Sequence, residues 1–157
     1  MLKKDYVQYI LRPVLSSLSL HSLQAEQLMI GTLICETNFD YLRQVQGPAL
    51  GIYQIEPATH NDIKRYLNRL DKNELKEHVL TACYYICHPP DSALIHNLAY
   101  ATVIARLKYA MNPKRLPIAG DVRSQAQYYK DIYNTAKGGG SVDRYIDLYS
   151  KHINEYI

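Results

Sequence analysis

The stretch Ser22-Leu23-Gln24-Ala25-Glu26-Gln27-Leu28-Met29-Ile30-Gly31-Thr32-Leu33-Ile34-Cys35-Glu36 has a helical period: Ala25, Leu28, Met29, Thr32 and Leu33 fall on one face. Ser22 stands where an N-cap belongs, so a helix is expected from there to about Glu36. The next position on the face, eleven residues after Ala25, is Glu36 itself. A carboxylate that closes a core-facing stripe loses water, which disfavours its charged form and raises its pKa. An acid still protonated near neutral pH is what general-acid chemistry requires. The plainer alternative is that Glu36, at the helix end, reaches water.

Outward from this helix nearly every segment reads as helical. Val7, Ile10, Leu11, Val14, Leu15 and Leu18 are helically spaced, and Pro13 within them predicts a kink or two short helices. Asp40 to Gln54 has no helical period and contains Gly47, Pro48 and Gly51, so a short loop or hairpin is expected there. Pro57 reads as the first residue of a helix with the stripe Ile63, Tyr66, Leu67 and Leu70. Asn73 would cap a further helix carrying Leu75, Val79, Ala82, Cys83 and Ile86, ended by Pro89 and Pro90. With Asp91 as its cap, Ser92 to Met111 is apolar on most sides, which predicts one helix in the centre of the core. Another is expected from about Asp121 to Thr135. A last one, capped by Ser141, carries Val142, Tyr145, Ile146, Tyr149 and Ile153. The expectation is a mainly α single domain of about seven helices over residues 1–157, with an N-terminal helical extension over about 1–21 and a core over about 22–157.

Composition agrees with one folded domain. The 157 residues suffice for a single core, and 47% hydrophobic with 21% charged residues is an ordinary globular balance. No apolar run approaches the ~20 residues that span a bilayer, so membrane insertion is not expected. A net charge of +3 is too small to imply nucleic acid. No signal peptide is visible, because Asp5, Arg12 and Pro13 interrupt the apolar stretch, and three cysteines do not make a disulfide framework. Synthesis in a reducing cytoplasm follows as the expectation. Cys83, Cys87, His78 and His88 invite a metal reading, but the two cysteines lie on the core stripe, so no metal is expected. Cys35 lacks a paired histidine with nucleophile spacing. His60 and His96 read as surface or capping residues near helix ends. The aromatic set is skewed, with fifteen Tyr, one Phe and no Trp.

Three motifs resemble those of the soluble lytic transglycosylases and, more distantly, the goose-type lysozymes. Glu36-Thr37 stands where that family has a Glu-Ser pair at a helix end. Ala49-Leu50-Gly51-Ile52-Tyr53-Gln54-Ile55 is similar to its Gly-Leu-Met-Gln-Ile segment, with Gln54 eighteen residues after Glu36. Tyr133-Asn134-Thr135-Ala136-Lys137-Gly138 resembles its late Tyr-Asn-Ala-Gly motif. Thr37 for Ser, Pro48 for Gly and Tyr53 for Met are departures, and the region between Gln54 and Tyr133 is longer than in the compact family core. In general character the chain also looks like small virion-associated phage proteins.

The resemblance implies a lysozyme-like fold and cleavage of the β-1,4 bond between N-acetylmuramic acid and N-acetylglucosamine in peptidoglycan, without a cofactor. Glu36 would be the general acid and base. Gly51, Tyr53, Gln54, Tyr133 and Asn134 would bind substrate, with Tyr53 stacking on a sugar or packing beneath its loop and Tyr133 bonding Glu36 or the sugar. Asp40 is the nearby candidate for a second carboxylate, and it reads more readily as a turn residue; Glu56 reads as an acidic helix N-terminal residue. Lacking a second acid, the transglycosylase route is preferred, in which the sugar's own 6-hydroxyl closes a 1,6-anhydro ring. The rivals are a structural or assembly component of a virion that keeps the fold without cleavage, and a glycan-binding module. Partners are thus the glycan strand or, for the rival, other virion proteins, and the protein would reach the wall with a virion or by another route.

Overall fold

The amphipathic and all-apolar segments of the sequence become helices that share one hydrophobic core in the computed structural model, which describes residues 2–69, 77, 79–80, 89–134 and 139–157. The chain is mainly α-helical. Leu70, Lys72, Asn73, Leu75, His78, Ala82, Cys83, Ile86, Cys87 and His88, and Thr135 to Gly138 of the late motif, lie outside the described residues.

Two helices are apolar on nearly all sides, and for that reason both are central. Leu23–Glu36, the acid-bearing helix, starts at Ser22, whose Oγ accepts from the Ala25 amide at 3.1 Å. Every residue from Leu28 to Ile34 is buried. Leu98–Ala110 is buried from Tyr100 to Leu107. The expected single helix over Ser92 to Met111 is in fact two, Ala93–His96 and Leu98–Ala110. Asn97 between them is extended, and its side chain accepts from the Tyr100 amide at 2.9 Å. A short polar side chain that competes for a backbone N–H ends one helix and caps the next, an outcome hidden by the apolar run around it.

The N-terminal segment packs into the same core. Lys3–Tyr6 runs through a π-helical turn, Val7–Leu11, into Arg12–Ser17, and Tyr6, Leu11 and Leu15 are fully buried. Pro13 lacks an N–H and its ring crowds the carbonyl four residues back; the chain widens in the turn just before it instead of breaking. Arg12 forks onto the buried Glu26 with two bonds of 2.8 Å, tying this segment to the acid-bearing helix. Asp40 to Gln54 is a loop stitched by two isolated antiparallel bridges, Arg43 with Leu50 and Leu50 with Ile55, without a named strand.

Pro57–Arg69 buries His60, Ile63 and Leu67. His60 is therefore a core residue and not a surface one: Nδ1 lies 2.6 Å from Asp91 Oδ1, and Nε2 lies 2.6 Å from Tyr100 Oη. Asp121 caps Val122–Tyr128, which continues as a π-helical turn over Tyr129–Asn134. Ser141 caps Val142–His152, as expected from the sequence. That helix crosses the acid-bearing one at Gly31, where a Cβ would fall 1.7 Å from Tyr145 Oη. The tyrosine excess finds its place at this crossing. A chain of rings runs from Tyr128 through Tyr109, Tyr133, Tyr129 and Tyr145 to Tyr149, with centroids 5.2–6.0 Å apart.

Candidate active site

Glu36 is the last residue of its helix, and its side chain opens into a cleft of about 610 Å³. Facing it across the cleft wall are Gln54, Glu56 and Thr59 from one side, Lys108 from the central helix, Tyr129, Tyr133 and Asn134 from the π-helical turn, and Arg144 from the last helix. Four segments far apart in sequence are thus brought together around one carboxyl group.

The carboxyl group is largely withdrawn from water, and burial pushes its pKa up to about 7. Three groups oppose the rise. Tyr129 Oη donates to Glu36 Oε1 at 2.8 Å, and the Lys108 and Arg144 cations attract the carboxylate through space. Asn134 Nδ2 donates in turn to Tyr129 Oη at 3.3 Å, fixing the phenol. Lys108 is itself held: its ammonium donates to the Tyr133 carbonyl at 2.7 Å and lies 3.9 Å from the centre of the Tyr133 ring. Burial lowers its pKa while Glu36 and Glu56 attract the cation. The result is an acid balanced near neutrality, able both to give and to take a proton.

The loop after Glu36 is locked to it. Thr37 Oγ1 donates to the Ile52 carbonyl at 2.8 Å, which ties the acid-bearing helix to the Gln54 loop. Gly51 has φ +75°, and a Cβ there would fall 2.0 Å from the Leu94 carbonyl, so only glycine fits. Gln54, with φ +47°, donates from Nε2 to the Gly51 carbonyl at 2.8 Å and stands on the cleft wall.

Glu36, Gln54, Tyr133 and Asn134 all line the cleft. Gly51 does not; it serves the backbone packing of the loop. Tyr53 is fully buried, its hydroxyl 2.8 Å from that of Tyr6, which also meets Thr102 Oγ1 at 2.7 Å. It packs beneath the loop, and a sugar cannot reach its ring. Tyr133 lines the cleft but directs its hydroxyl to the Tyr53 carbonyl at 2.8 Å. The hydroxyl bonded to Glu36 belongs to Tyr129, one turn earlier on the same face. Asp40 is exposed and off the cleft wall; the second carboxylate facing the cleft is Glu56. Burial and the neighbouring Glu36 charge push the Cys35 thiol up to about 12, which leaves it protonated and a poor nucleophile.

Tyr129, Lys108, Tyr41 and Gln44 are cleft residues that the sequence did not single out. Tyr129 carried a usable signal, because it lies four positions before Tyr133 on one helical face. Lys108 had one too, as a cation inside the all-apolar segment Leu98 to Ala110. Neither Tyr41 nor Gln44 departs from an ordinary solvent-facing pattern.

No family model, curated protein or solved structure matches this chain.

Proposed function

We propose that the chain cleaves the β-1,4 glycosidic bond between N-acetylmuramic acid and N-acetylglucosamine in peptidoglycan, on a lysozyme-like fold, with Glu36 as general acid and base. The observation that carries this reading is one carboxyl group at a helix end on the wall of a cleft, its pKa pushed up to about 7 by burial and its carboxylate hydrogen-bonded by the Tyr129 hydroxyl. The order of the three sequence motifs supports the same substrate class.

In the route we favour, the Glu36 carboxyl proton passes to the glycosidic oxygen while the bond from that oxygen to C1 of the muramic residue breaks. The Glu36 carboxylate then takes the proton of the muramic 6-hydroxyl as its oxygen bonds C1, closing a 1,6-anhydro ring. Glu36 leaves the cycle protonated, so one carboxylate suffices. Tyr129 steadies the charged form between the two transfers. Glu56 on the wall makes a hydrolytic variant the rival route, with water in place of the 6-hydroxyl.

The test is digestion of purified murein followed by product masses. Wild type should clear murein and Glu36→Gln should not; murein left intact by both at high protein concentration refutes the enzyme reading. Products one water lighter than hydrolysed muropeptides support the anhydro route, and hydrated products overturn it.

A further inference from the structure

The chemistry above leaves one cleft-wall aromatic unused. Among the described residues three tyrosines line the cleft, and two of them, Tyr129 and Tyr133, are 3% exposed with both hydroxyls engaged inside the protein. Tyr41 is 43% exposed. Its hydroxyl donates to the backbone carbonyl of Glu36 at 2.6 Å. The polar end of this phenol is therefore satisfied by the residue that bears the acid, and what remains for the cleft is a ring face. Leu42 and Val45 continue the same loop as exposed apolar side chains.

The other aromatics of the neighbourhood are committed elsewhere. Phe39 packs with its ring centroid 5.0 Å from that of Tyr6 and 6.4 Å from that of Tyr156, and Tyr53 is sealed in the core. The chain has no Trp. The remaining wall is rich in amides and hydroxyls from Gln44, Gln54, Thr59 and Asn134. A single tethered ring face set among amide and hydroxyl donors matches a pyranose, which has an apolar face of C–H bonds and a rim of hydroxyl and acetamido groups.

We infer that Tyr41 is the stacking platform of the cleft, holding one pyranose ring of a β-linked amino-sugar chain beside Glu36. The inference rests on the glycan-cleaving reading of this cleft and assigns its sugar-contacting surface. The tether gives it a second consequence: the platform is fixed to the acid's own backbone, so a stacked sugar is registered against the proton donor.

The experiment uses tri-N-acetylchitotriose as probe and Glu36→Gln as the non-cleaving background, with calorimetric titration and melting temperatures for each protein. Adding Tyr41→Ala should weaken binding about tenfold with little change in melting. Adding Tyr41→Phe, which keeps the ring and loses only the tether, should stay within about threefold. Saturation transfer from the Tyr41 ring to sugar C–H protons, measured with residue 41 intact, should be positive and reads the contact without a substitution. Tyr41→Ala binding like its parent, or Tyr41→Phe losing as much as Tyr41→Ala, overturns the platform. If wild type still clears murein in that case, the cleavage reading stands without it. A wild type that neither clears murein nor binds the trisaccharide overturns both.

Discussion

Replacing the acid should make the protein more stable, and the size of the gain follows from its surroundings. Burial lifts the Glu36 pKa from an ordinary 4.5 to about 7. The unfolded chain therefore releases this proton at lower pH than the folded one. Below pH 4.5 both states hold the proton and the group is neutral in its effect. Between 4.5 and 7 the unfolded state gains by ionising while the folded state cannot, so stability falls as pH rises. Above 7 the loss is complete and amounts to about 3 kcal/mol, at ~1.4 kcal/mol for each pH unit between the two values. Glu36→Gln removes the ionisation and keeps an oxygen that accepts from Tyr129. At pH 8 the variant should be the more stable by about 3 kcal/mol, or roughly 6–12 °C in melting temperature for a chain of this length. At pH 4 the two proteins should agree within a few tenths.

Urea denaturation followed by circular dichroism at pH 4, 5.5, 7 and 8 measures this difference directly. Glu26, Asp121 and Glu155 have pKa values lowered by their hydrogen-bonding partners, so they destabilise the fold as pH falls. That trend runs the other way but is common to both proteins and cancels in the comparison. A variant no more stable than wild type at pH 8 would refute the reasoning, because it would mean that the Glu36 carboxylate is well solvated. A gap of the same size at pH 4 would also refute it, since the gain would then come from packing and not from charge.

Tyr129→Phe removes the donor that stabilises the Glu36 carboxylate, so the alkaline limb of the murein-clearing rate should move up by about 1–2 pH units, measured as a pH–rate profile, and an unmoved limb would mean the hydrogen bond carries no weight. Gly31→Ala should cost several kcal/mol in urea denaturation, because the new methyl group meets the Tyr145 hydroxyl and the neighbouring ring carbon. Tyr145→Phe should be neutral or stabilising, since that buried hydroxyl has no hydrogen-bond partner among the described residues, and combined with Gly31→Ala it should recover part of the loss.

Helix positions were legible wherever local chemistry and tertiary packing agreed. Ser22, Asp121 and Ser141 cap the helices their sequence contexts announced, and Pro57 opens the one it was expected to open. Glu36 was legible as an acid in a core stripe because a single period of 3.6 residues predicts burial directly. What escaped was decided by competition between elements. Asn97 looked harmless inside a long apolar run, yet its amide capped a new helix. The motif leaves Tyr53 open between stacking on a sugar and packing beneath its loop; the turn over residues 51–54 buries its ring, with the hydroxyl 2.8 Å from that of Tyr6. The choice of Tyr129 over Tyr133 as partner to Glu36 is a tertiary matter: both share a helical face, and the Tyr133 hydroxyl is taken by the Tyr53 carbonyl while that of Tyr129 reaches Glu36.

The departures from local rules are not scattered. Of the five described non-glycine residues with positive φ, four, Asn38, Phe39, Gln46 and Gln54, fall between the acid and the end of its facing loop, and Ser19 lies apart. Each is a conformation that a free chain would leave, so something must hold it. Asn38 Oδ1 accepts from Lys3 Nζ at 2.7 Å and from Tyr156 Oη at 2.9 Å, which draws both ends of the chain onto the residue two places after Glu36. Phe39 is clamped between the rings of Tyr6 and Tyr156, and Gln54 is anchored through Gly51. These contacts, together with the Thr37 and Tyr133 bonds to consecutive loop carbonyls, hold a strained segment in place beside a destabilised carboxylate. A fold selected for stability alone would relax the segment and solvate the acid. Holding both in place, with the Tyr41 ring exposed beside them, is the arrangement that the proposed glycan-cleaving site requires.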